Sequence, residues 1–367
     1  MTVPKDILES FPVINKKKMN HLLSLPKGTN RMILDTDTAN EIDDQFALAW
    51  TLLSKDKIDL VGVTAEPYSF QHHRDDLLKT ENLLRDNKKN FEKNDLKLIE
   101  EYKGWVEGLL SNDIKPSELY FDTPEEGVEK SYKEILNIFS IMNENPNNKV
   151  FRGSPGYLES YNTPIKSDSS EFIINEALKN DDKPLYISAI GCLTNIASAM
   201  LIEPKIISNI VIVWTSGFPS RSLQNNTPSL NLVQDKLASQ LLFDCGVANV
   251  YLPGYHIGAQ LTLSLPDMDK WVKDKGAIGN YLYYLYTNNP IHKQRGIIDQ
   301  TWRSWVIWDM INIAWMINPE WVPTSILESP VLDDNLYWQN PGNRHIMREA
   351  YGINRDAIFY DFFSKLN

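Results

Sequence analysis

The sequence predicts an α/β fold in which a mainly parallel sheet is flanked by helices. Two observations lead to this prediction. Short apolar runs recur between residues 31 and 252, and most are followed by a segment with helical character. Acidic or polar motifs come directly after several of these runs, where ligands of parallel sheets bind. The 367-residue chain has no linker rich in Gly, Pro or Ser and no internal repeat, so we expect one domain over residues 1–367.

The predicted strands follow one another along the first two thirds of the chain. Each is a short, nearly continuous apolar run, which is typical of strands buried on both faces of a parallel sheet. They lie at residues 31–34, 60–63, 149–151, 185–187, 210–214 and 250–252. Helices are expected between them, near residues 44–53, 127–143, 193–201 and 236–243.

Two regions interrupt the alternation of strands and helices. Residues 71–125 are charged and poor in strand signals, which indicates a helical insertion over one end of the sheet. Residues 265–367 are rich in tryptophan and are predicted to be helical. The spacing of the tryptophans indicates a helix face, so we expect Trp315 and Trp321 in the core. Trp308 adjoins an aspartate and is a candidate for a pocket.

Composition limits the classes of partner. The chain has 37 Lys and Arg against 48 Asp and Glu, a formal net charge of −11, which gives no general attraction to nucleic acids or anionic membranes. Two cysteines cannot build a disulfide framework and fit a reducing cytosol. The N-terminus lacks the apolar segment of a signal peptide, and no run of apolar residues is long enough for a membrane helix. We therefore expect a soluble, cytoplasmic protein with a small-molecule substrate.

The most informative segment follows the first predicted strand. Asp35, Asp37, Glu41, Asp43 and Asp44 lie within ten residues. Such a concentration of negative charge is unfavourable unless a cation neutralises it, and oxygen-only ligands indicate Ca²⁺ or Mg²⁺ rather than zinc. A solvated acidic turn with an Asp helix cap would explain one or two of these residues, but not the alternating pair beside an apolar strand.

Two families end a strand in Asp-x-Asp. Residues Asp35-Thr-Asp37-Thr38 resemble the first motif of the haloacid-dehalogenase-like phosphohydrolases, in which the two aspartates act as nucleophile and acid/base with Mg²⁺. The apolar segment that ends at Thr215 resembles the second motif of this family. Such an enzyme also requires a later lysine and an acidic pair after another strand, and neither is convincing here. This family is the alternative interpretation.

Several separate segments together resemble the inosine–uridine-type nucleoside hydrolases. In order, these segments are Asp35-Thr-Asp37 with Asp43-Asp44, then 188–197, then 231–238, then 308–319. The turn after Asp37 is two residues longer than usual, and Thr38-Ala39 replaces the usual Pro-Gly. The resemblance covers most of residues 30–320 and implies a fold like that of this family.

The resemblance implies a calcium site and a base. Asp37 would bind Ca²⁺ and act as the general base that activates water. Asp44, Asp309 and the backbone carbonyl of Ile190 would complete the protein ligands. Asp35 would support the loop, although a role in capping the loop amides fits it equally well.

Further positions would bind the nucleoside. Asp43 and Asn231 would bind ribose hydroxyls. Ser229 stands where many members have a Glu that holds the 5′-hydroxyl. Trp308 stands where many have a His that protonates the leaving base, but purine-preferring members carry Trp there and stack it on the purine.

The expected function is calcium-dependent hydrolysis of the N-glycosidic bond of ribonucleosides, with purines preferred. The alternatives are the Mg²⁺-dependent phosphohydrolase and a ribosyl-binding homologue with little or no turnover. Members of the family often form dimers or tetramers, so the resemblance allows a homo-oligomer.

Overall fold

A twisted sheet of eight strands organises the computed structural model, which describes residues 2–86, 91–179, 183–297 and 303–366. The sheet has the order β3-β2-β1-β4-β5-β6-β12-β9. All neighbouring pairs are parallel except β12 and β9. The strands of the described residues are β1 (Asn30–Thr36), β2 (Ile58–Ala65), β3 (Val150–Phe151), β4 (Leu185–Ala189), β5 (Ile210–Ser216), β6 (Ala248–Pro253), β7 (Thr262–Ser264), β8 (Ser304–Val306), β9 (Thr324–Glu328), β10 (Val331–Leu332), β11 (Trp338–Gln339) and β12 (Ile346–Ala350).

Helices cover both faces of this sheet. None of the helices in the described part of the chain is long and apolar enough to cross a membrane. They are α1 (Lys5–Leu8), α2 (Lys16–Leu22), α3 (Asp43–Leu53), α4 (Arg74–Arg85), α5 (Lys93–Leu110), α6 (Pro124–Ile141), α7 (Asp168–Ala177), α8 (Thr194–Ile202), α9 (Leu230–Val233), α10 (Lys236–Asp244), α11 (Leu265–Trp271), α12 (Gly276–Thr287), α13 (Pro290–Gln294), α14 (Met310–Ile317) and α15 (Arg355–Lys365).

Successive residues of the central strands enter two separate hydrophobic cores. Met32 and Leu34 of β1 pack in one core with residues of α3, α12, α14 and α15. Ile33, between them, packs in the other core with residues of α7, α8 and α10. This alternation follows from the period of two in a strand, and burial on both faces explains why the predicted strands are continuous apolar runs. The core therefore fixes the strand ends that carry the acidic loop.

The predicted strands and inter-strand helices are all present, with boundaries that differ by a few residues. Helices α4 and α5 lie in the region interpreted as an insertion, and they pack on Tyr68 and Phe70 in a third, smaller core. Helix α7 was not predicted. Trp315 is fully buried, as expected, whereas Trp321 is only partly buried at the edge of the main core.

The interpretation of residues 265–367 as helical needs correction. Helices α11 to α15 fall in this region, but so do β8 to β12, and β12 and β9 extend the main sheet beyond β6. Strand β12 reads Ile-Met-Arg-Glu-Ala, in which most residues favour a helix. Its pairing with β6 on one side and β9 on the other outweighs this local preference.

A buried ion pair anchors the added strands to the rest of the molecule. Nη2 of Arg344, just before β12, donates to Oδ1 of Asp244 at 2.6 Å and to the carbonyls of Phe243 at 2.6 Å and Pro330 at 3.0 Å. Oδ2 of Asp244 accepts the backbone N–H of Thr2 at 2.8 Å. The two charged side chains are 8% and 1% exposed, so each depends on the other for compensation.

Replacing Arg344 by methionine should therefore destabilise the fold strongly. Arg344→Met leaves the buried Asp244 carboxylate without its cation, and we expect the free energy of unfolding in urea to fall by about 3–5 kcal/mol. Lys5→Met is the control, because the Lys5–Glu9 pair is 85% and 65% exposed and should contribute little. Similar losses in the two variants would contradict the anchoring role.

Candidate functional site

All of the predicted site residues line one cleft at the carboxyl ends of the central strands. The cleft opens to solvent, and its empty space, with the open part included, is about 530 Å³. Its walls come from the loop after β1, the segment after β4, helix α9 and the start of α14. The predicted residues that the structure brings together there are Asp37, Asp43, Asp44, Ile190, Asn231, Trp308 and Asp309.

The loop between β1 and α3 holds its carboxylates in fixed positions. The hydroxyl of Thr36, the last residue of β1, donates to Oδ1 of Asp44. The side-chain amide of Asn40 donates to Oδ2 of Asp37 at 3.1 Å, and its backbone N–H donates to the Asp37 carbonyl at 2.9 Å. Ala39 has a φ of 91°, which residues other than glycine rarely adopt, so the loop carries backbone strain next to the acidic residues.

Three carboxylates form a compact acidic cluster. Oxygens of Asp43, Asp44 and Asp309 lie within 4.8 Å of one another, and all three residues are buried. Burial, followed by the charge of Asp44, raises the pKa of Asp43 to about 7. Burial and neighbouring aspartates also raise the pKa of Asp44 and of Asp309 well above the usual range. Such a group of oxygen donors fits a hard divalent cation, which would relieve the repulsion.

Asp37 lies beside the acidic cluster rather than within its tightest group. Its charge acts on Asp44 and on Asp309, and burial raises its own pKa well above the ordinary value, with Asp43 as the next cause. Gly191 permits this arrangement, because a Cβ at that position would stand 3.1 Å from Cγ of Asp37. The acidic cluster consists of Asp43, Asp44 and Asp309. It thus includes Asp43, which was predicted to bind a ribose hydroxyl, whereas Asp37 lies beside it.

The carbonyl of Ile190 is held by a neighbouring amide. Asn231 donates through Nδ2 to the Ile190 carbonyl at 2.9 Å and to the Thr215 carbonyl at 3.3 Å. A carbonyl oxygen has two lone pairs, so this contact still allows Ile190 to bind a cation. Because Asn231 uses its N–H groups within the protein, its side-chain oxygen can accept a hydrogen bond from a ligand hydroxyl.

Asn312 holds the start of α14, next to Asp309, against the sheet, a role that was not predicted from the sequence. Asn312 is fully buried in α14, and its Nδ2 donates to the carbonyls of Ala189 and Val213 at 2.9 Å each. These bonds attach the first turn of α14 to the end of β4 and the middle of β5, and Asp309 immediately precedes that turn. A lone asparagine within an otherwise apolar helix was the available signal, since a buried amide needs partners.

A second buried acidic pair lies under the loop. Oδ1 of Asp35 accepts from the side chains of Thr64 and Asn195. Glu66, which follows β2, accepts the backbone N–H of Asn195 at 3.0 Å and the thiol of Cys192 at 3.2 Å. Burial and the charge of Asp35 raise the pKa of Glu66 well above its usual value. The side chains of Glu66 and Asp35 are hydrogen-bonded to each other, and this contact raises the pKa of Glu66 while it lowers that of Asp35.

Glu66 was missed in the sequence analysis, although a signal was present. It is an acidic residue directly after an apolar run, at the same edge of the sheet as Asp35. Its hydrogen bonds support a structural role for Asp35 beneath the loop, and they occupy the Cys192 thiol as a donor. Burial raises the pKa of this thiol, so Cys192 is not an activated nucleophile.

Aromatic residues form one wall of the cleft. The ring of Tyr255 packs against Trp308 with centroids 5.3 Å apart and against Phe218 at 5.1 Å. Tyr255 follows β6 and was not predicted, although an aromatic residue at a strand end was a usable signal. Trp105 lies outside the cleft lining, and its Nε1 donates to the Gln294 carbonyl at 2.8 Å.

Two further polar residues line the cleft. The hydroxyl of Ser229 is 2.8 Å from the hydroxyl of Ser216 and accepts the backbone N–H of Gly217 at 2.8 Å, so it is engaged within the protein. Glu41 also faces the cleft. Burial raises the pKa of Glu41 to about 7, with the charge of Asp43 as the second cause.

Comparison with known proteins identifies relatives along most of the chain. The family model described as inosine-uridine preferring nucleoside hydrolase matches residues 32–359. A probable uridine nucleosidase 2 of Arabidopsis thaliana is 27% identical over 121 residues, which cover 32% of this chain and 37% of the relative. The non-specific ribonucleoside hydrolase RihC of Salmonella paratyphi B is 28% identical over 148 residues, which cover 40% of this chain and 45% of the relative. The matches thus span less than half the length of these curated relatives.

A solved structure shares the fold over a longer stretch. The purine-preferring ribonucleoside hydrolase from Gardnerella vaginalis superposes with a TM-score of 0.56 and 18% identity, covering 92% of this chain and 98% of that one. At this identity the likeness concerns the fold alone. It confirms the predicted α/β fold with a mainly parallel sheet and flanking helices.

The raised pKa values of the acidic cluster predict a stability that depends on pH and on cations. Without a cation, folded Asp43 titrates near 7 but the unfolded residue near 4, so the folded state holds protons that the unfolded state has lost. This contribution to stability is present below pH 4 and disappears as pH rises through about 7. A cation that replaces the protons should reverse the loss.

Thermal unfolding at two pH values tests this prediction. We expect Ca²⁺ to raise the Tm much more at pH 8 than at pH 5, relative to the same protein in chelator. At 100 times the Kd, binding adds about 2.7 kcal/mol to the stability. Asp309→Asn should weaken the effect, whereas Glu159→Gln, at an exposed position, should preserve it. A Tm at pH 8 that does not respond to divalent cations would argue against a cation site.

Proposed function

Because the chain belongs to the inosine–uridine-preferring nucleoside hydrolase family, we propose that it hydrolyses the N-glycosidic bond of ribonucleosides, with calcium as cofactor and purines preferred. The convergence of the loop after β1 with Trp308 and Asp309 on one cleft is the observation that carries this proposal. Family membership sets aside the phosphohydrolase alternative. Release of a reducing sugar from inosine tests the proposal, and nucleoside binding without release would favour the ribosyl-binding alternative.

The chemistry requires an activated water, a firm hold on the ribose and a stabilised leaving group, because the ribosyl group develops positive charge as the bond breaks. Asp37, Asp44, Asp309 and the Ile190 carbonyl would hold the Ca²⁺. When bound, this ion would lower the pKa of water and favour ionised carboxylates around it.

Asp37 is the proposed general base. Its Oδ2 accepts from Asn40, which fixes the carboxylate and leaves Oδ1 free to take a proton from water. The water then attacks the anomeric carbon, and the electron pair of the glycosidic bond leaves with the nucleobase. Gly191 has no Cβ and therefore leaves room for the Asp37 side chain at this position.

Opposite sides of the cleft would bind the ribose and the nucleobase. Asp43 and the side-chain oxygen of Asn231 would accept hydrogen bonds from ribose hydroxyls. Trp308, supported by Tyr255, would stack on the nucleobase. Indole has no acidic proton to give, so stacking and protonation by solvent would replace a positioned acid, which favours purines with their larger π-face and N7 acceptor.

We also propose a cytoplasmic location and a free nucleoside as the substrate. Cys192 and Cys245 are both unpaired and buried, which is compatible with a reducing compartment. The acidic cleft disfavours strongly anionic ligands such as nucleic acids.

Loss of the proposed base should reduce turnover with little effect on binding. Asp37→Asn keeps the shape of the side chain and its contact with Asn40 but removes the proton acceptor. We expect kcat for inosine to fall by at least about 10²-fold at saturating Ca²⁺, with a smaller change in KM. Steady-state kinetics with a parallel Ca²⁺ titration provide the measurement. Near-normal turnover in the metal-loaded variant would exclude Asp37 as the base.

Loss of the proposed stacking residue should affect purines selectively. Stacking contributes roughly 1–3 kcal/mol per base, so Trp308→Ala should lower kcat/KM for inosine by about 10-fold or more and that for uridine by less. Trp271→Ala, which removes a tryptophan from the protein surface, is the control and should change neither value. Equal losses on both substrates would indicate that Trp308 is a packing residue, and a parent protein faster on uridine would contradict the purine preference.

A further inference from the structure

Glu41 offers the cleft a hydrogen-bond acceptor that the protein does not use. The residue lines the cleft, and its Oε2 is buried without a hydrogen-bond partner among the described residues. A buried carboxylate oxygen without a donor is costly, because it has lost its hydrogen bonds to water. Burial and then the charge of Asp43 raise the pKa of Glu41, and they outweigh the charge of Arg295, which lowers it. A ligand with N–H donors would replace the hydrogen bonds to water that the oxygen loses on burial.

The backbone of the loop holds Glu41 at the cleft. Asn40, the preceding residue, is tied to Asp37 by both its backbone and its side chain. Asp43, two residues later, begins α3. Glu41 thus lies on a short segment that is attached at both ends, so its backbone is positioned before a ligand arrives.

Glu41 has neighbours on both sides of the cleft, because its charge acts on Asp37 and Asp44 as well as on the aromatic wall. The residue is not part of the compact acidic cluster of Asp43, Asp44 and Asp309. The charge of Glu41 does act on the phenol of Tyr255, whose pKa is raised to about 12 by burial and then by Glu41. Because Tyr255 packs on Trp308, Glu41 lies near the part of the cleft proposed to hold the nucleobase.

We propose, on the basis of the nucleoside hydrolysis proposed above, that Glu41 is a specificity-determining residue whose carboxylate accepts N–H hydrogen bonds from the edge of a 6-oxopurine. Guanine presents two adjacent donors, the N1–H and the 2-amino group. Hypoxanthine presents the N1–H alone, whereas adenine presents an N1 acceptor that a carboxylate repels. The preferred order of substrates is therefore guanosine, inosine, adenosine.

Kinetics of matched variants test this role. Glu41→Gln has nearly the same shape but replaces one acceptor by a donor, and it should lower the guanosine-to-adenosine ratio of kcat/KM by at least about 10-fold. Glu41→Asp keeps the carboxylate and should retain part of the ratio. Glu159→Gln removes an exposed charge elsewhere and should leave it unchanged. An unchanged ratio in Glu41→Gln, or equal losses on the two substrates, would overturn the proposal.

Binding of C-nucleosides separates this proposal from that of hydrolysis. In 9-deazaguanosine and 9-deazaadenosine a carbon–carbon bond replaces the N-glycosidic bond, so calorimetry measures binding without turnover. We expect the parent to bind 9-deazaguanosine at least about 10-fold more tightly and Glu41→Gln to lose this difference. That result in a protein that releases no ribose would refute hydrolysis and support the role of Glu41. Absence of a preference, or of any binding, in the parent would overturn the role of Glu41.

Discussion

Repulsion among buried carboxylates is the constraint on which the arrangement of this site depends. Asp43, Asp44 and Asp309 come from two distant parts of the chain, and each would be solvated if the protein did not hold it in the cleft. Their proximity therefore has a free-energy cost, which hydrogen bonds from neutral groups offset. Thr36 donates to Asp44, and Asn312 attaches the start of α14 to the sheet. A rigid parallel sheet suits this task, because its strand ends fix the positions from which such residues project.

The central fold and the acidic loop could be predicted because their signals are local. A strand buried on both faces must be apolar at every position, so β1, β4 and β5 are visible as short apolar runs. The loop after β1 concentrates its acidic residues within ten positions. Asp309 and Asn231 were found only through resemblance, since nothing in their own surroundings indicates that they face the same cleft.

The features that were missed depend on contacts between distant segments. Strand β12 has a helix-favouring composition, and only its pairing with β6 and β9 makes it a strand. Asn312 looks like an unfavourable residue in an apolar helix until its carbonyl partners on β4 and β5 are known. In the sequence, Glu66 is only an acidic residue that follows a predicted strand. Its role depends on burial and on its hydrogen bond to Asp35. In each case the deciding energy is a tertiary hydrogen bond rather than a local preference.

The raised pKa of Glu66 has a consequence for the charge of the whole molecule. The formal net charge of −11 counts every carboxyl group as ionised. Because the pKa of Glu66 is raised in the folded chain, this group ionises at a higher pH than the composition suggests, and electrophoretic mobility follows that shift. Denaturation exposes the group to water and returns its pKa to the ordinary range, so protons pass to the buffer at any pH where the folded group still held them. The heat of unfolding therefore contains a contribution from buffer ionisation, which differs between phosphate and Tris and has to be separated from the enthalpy of the protein itself.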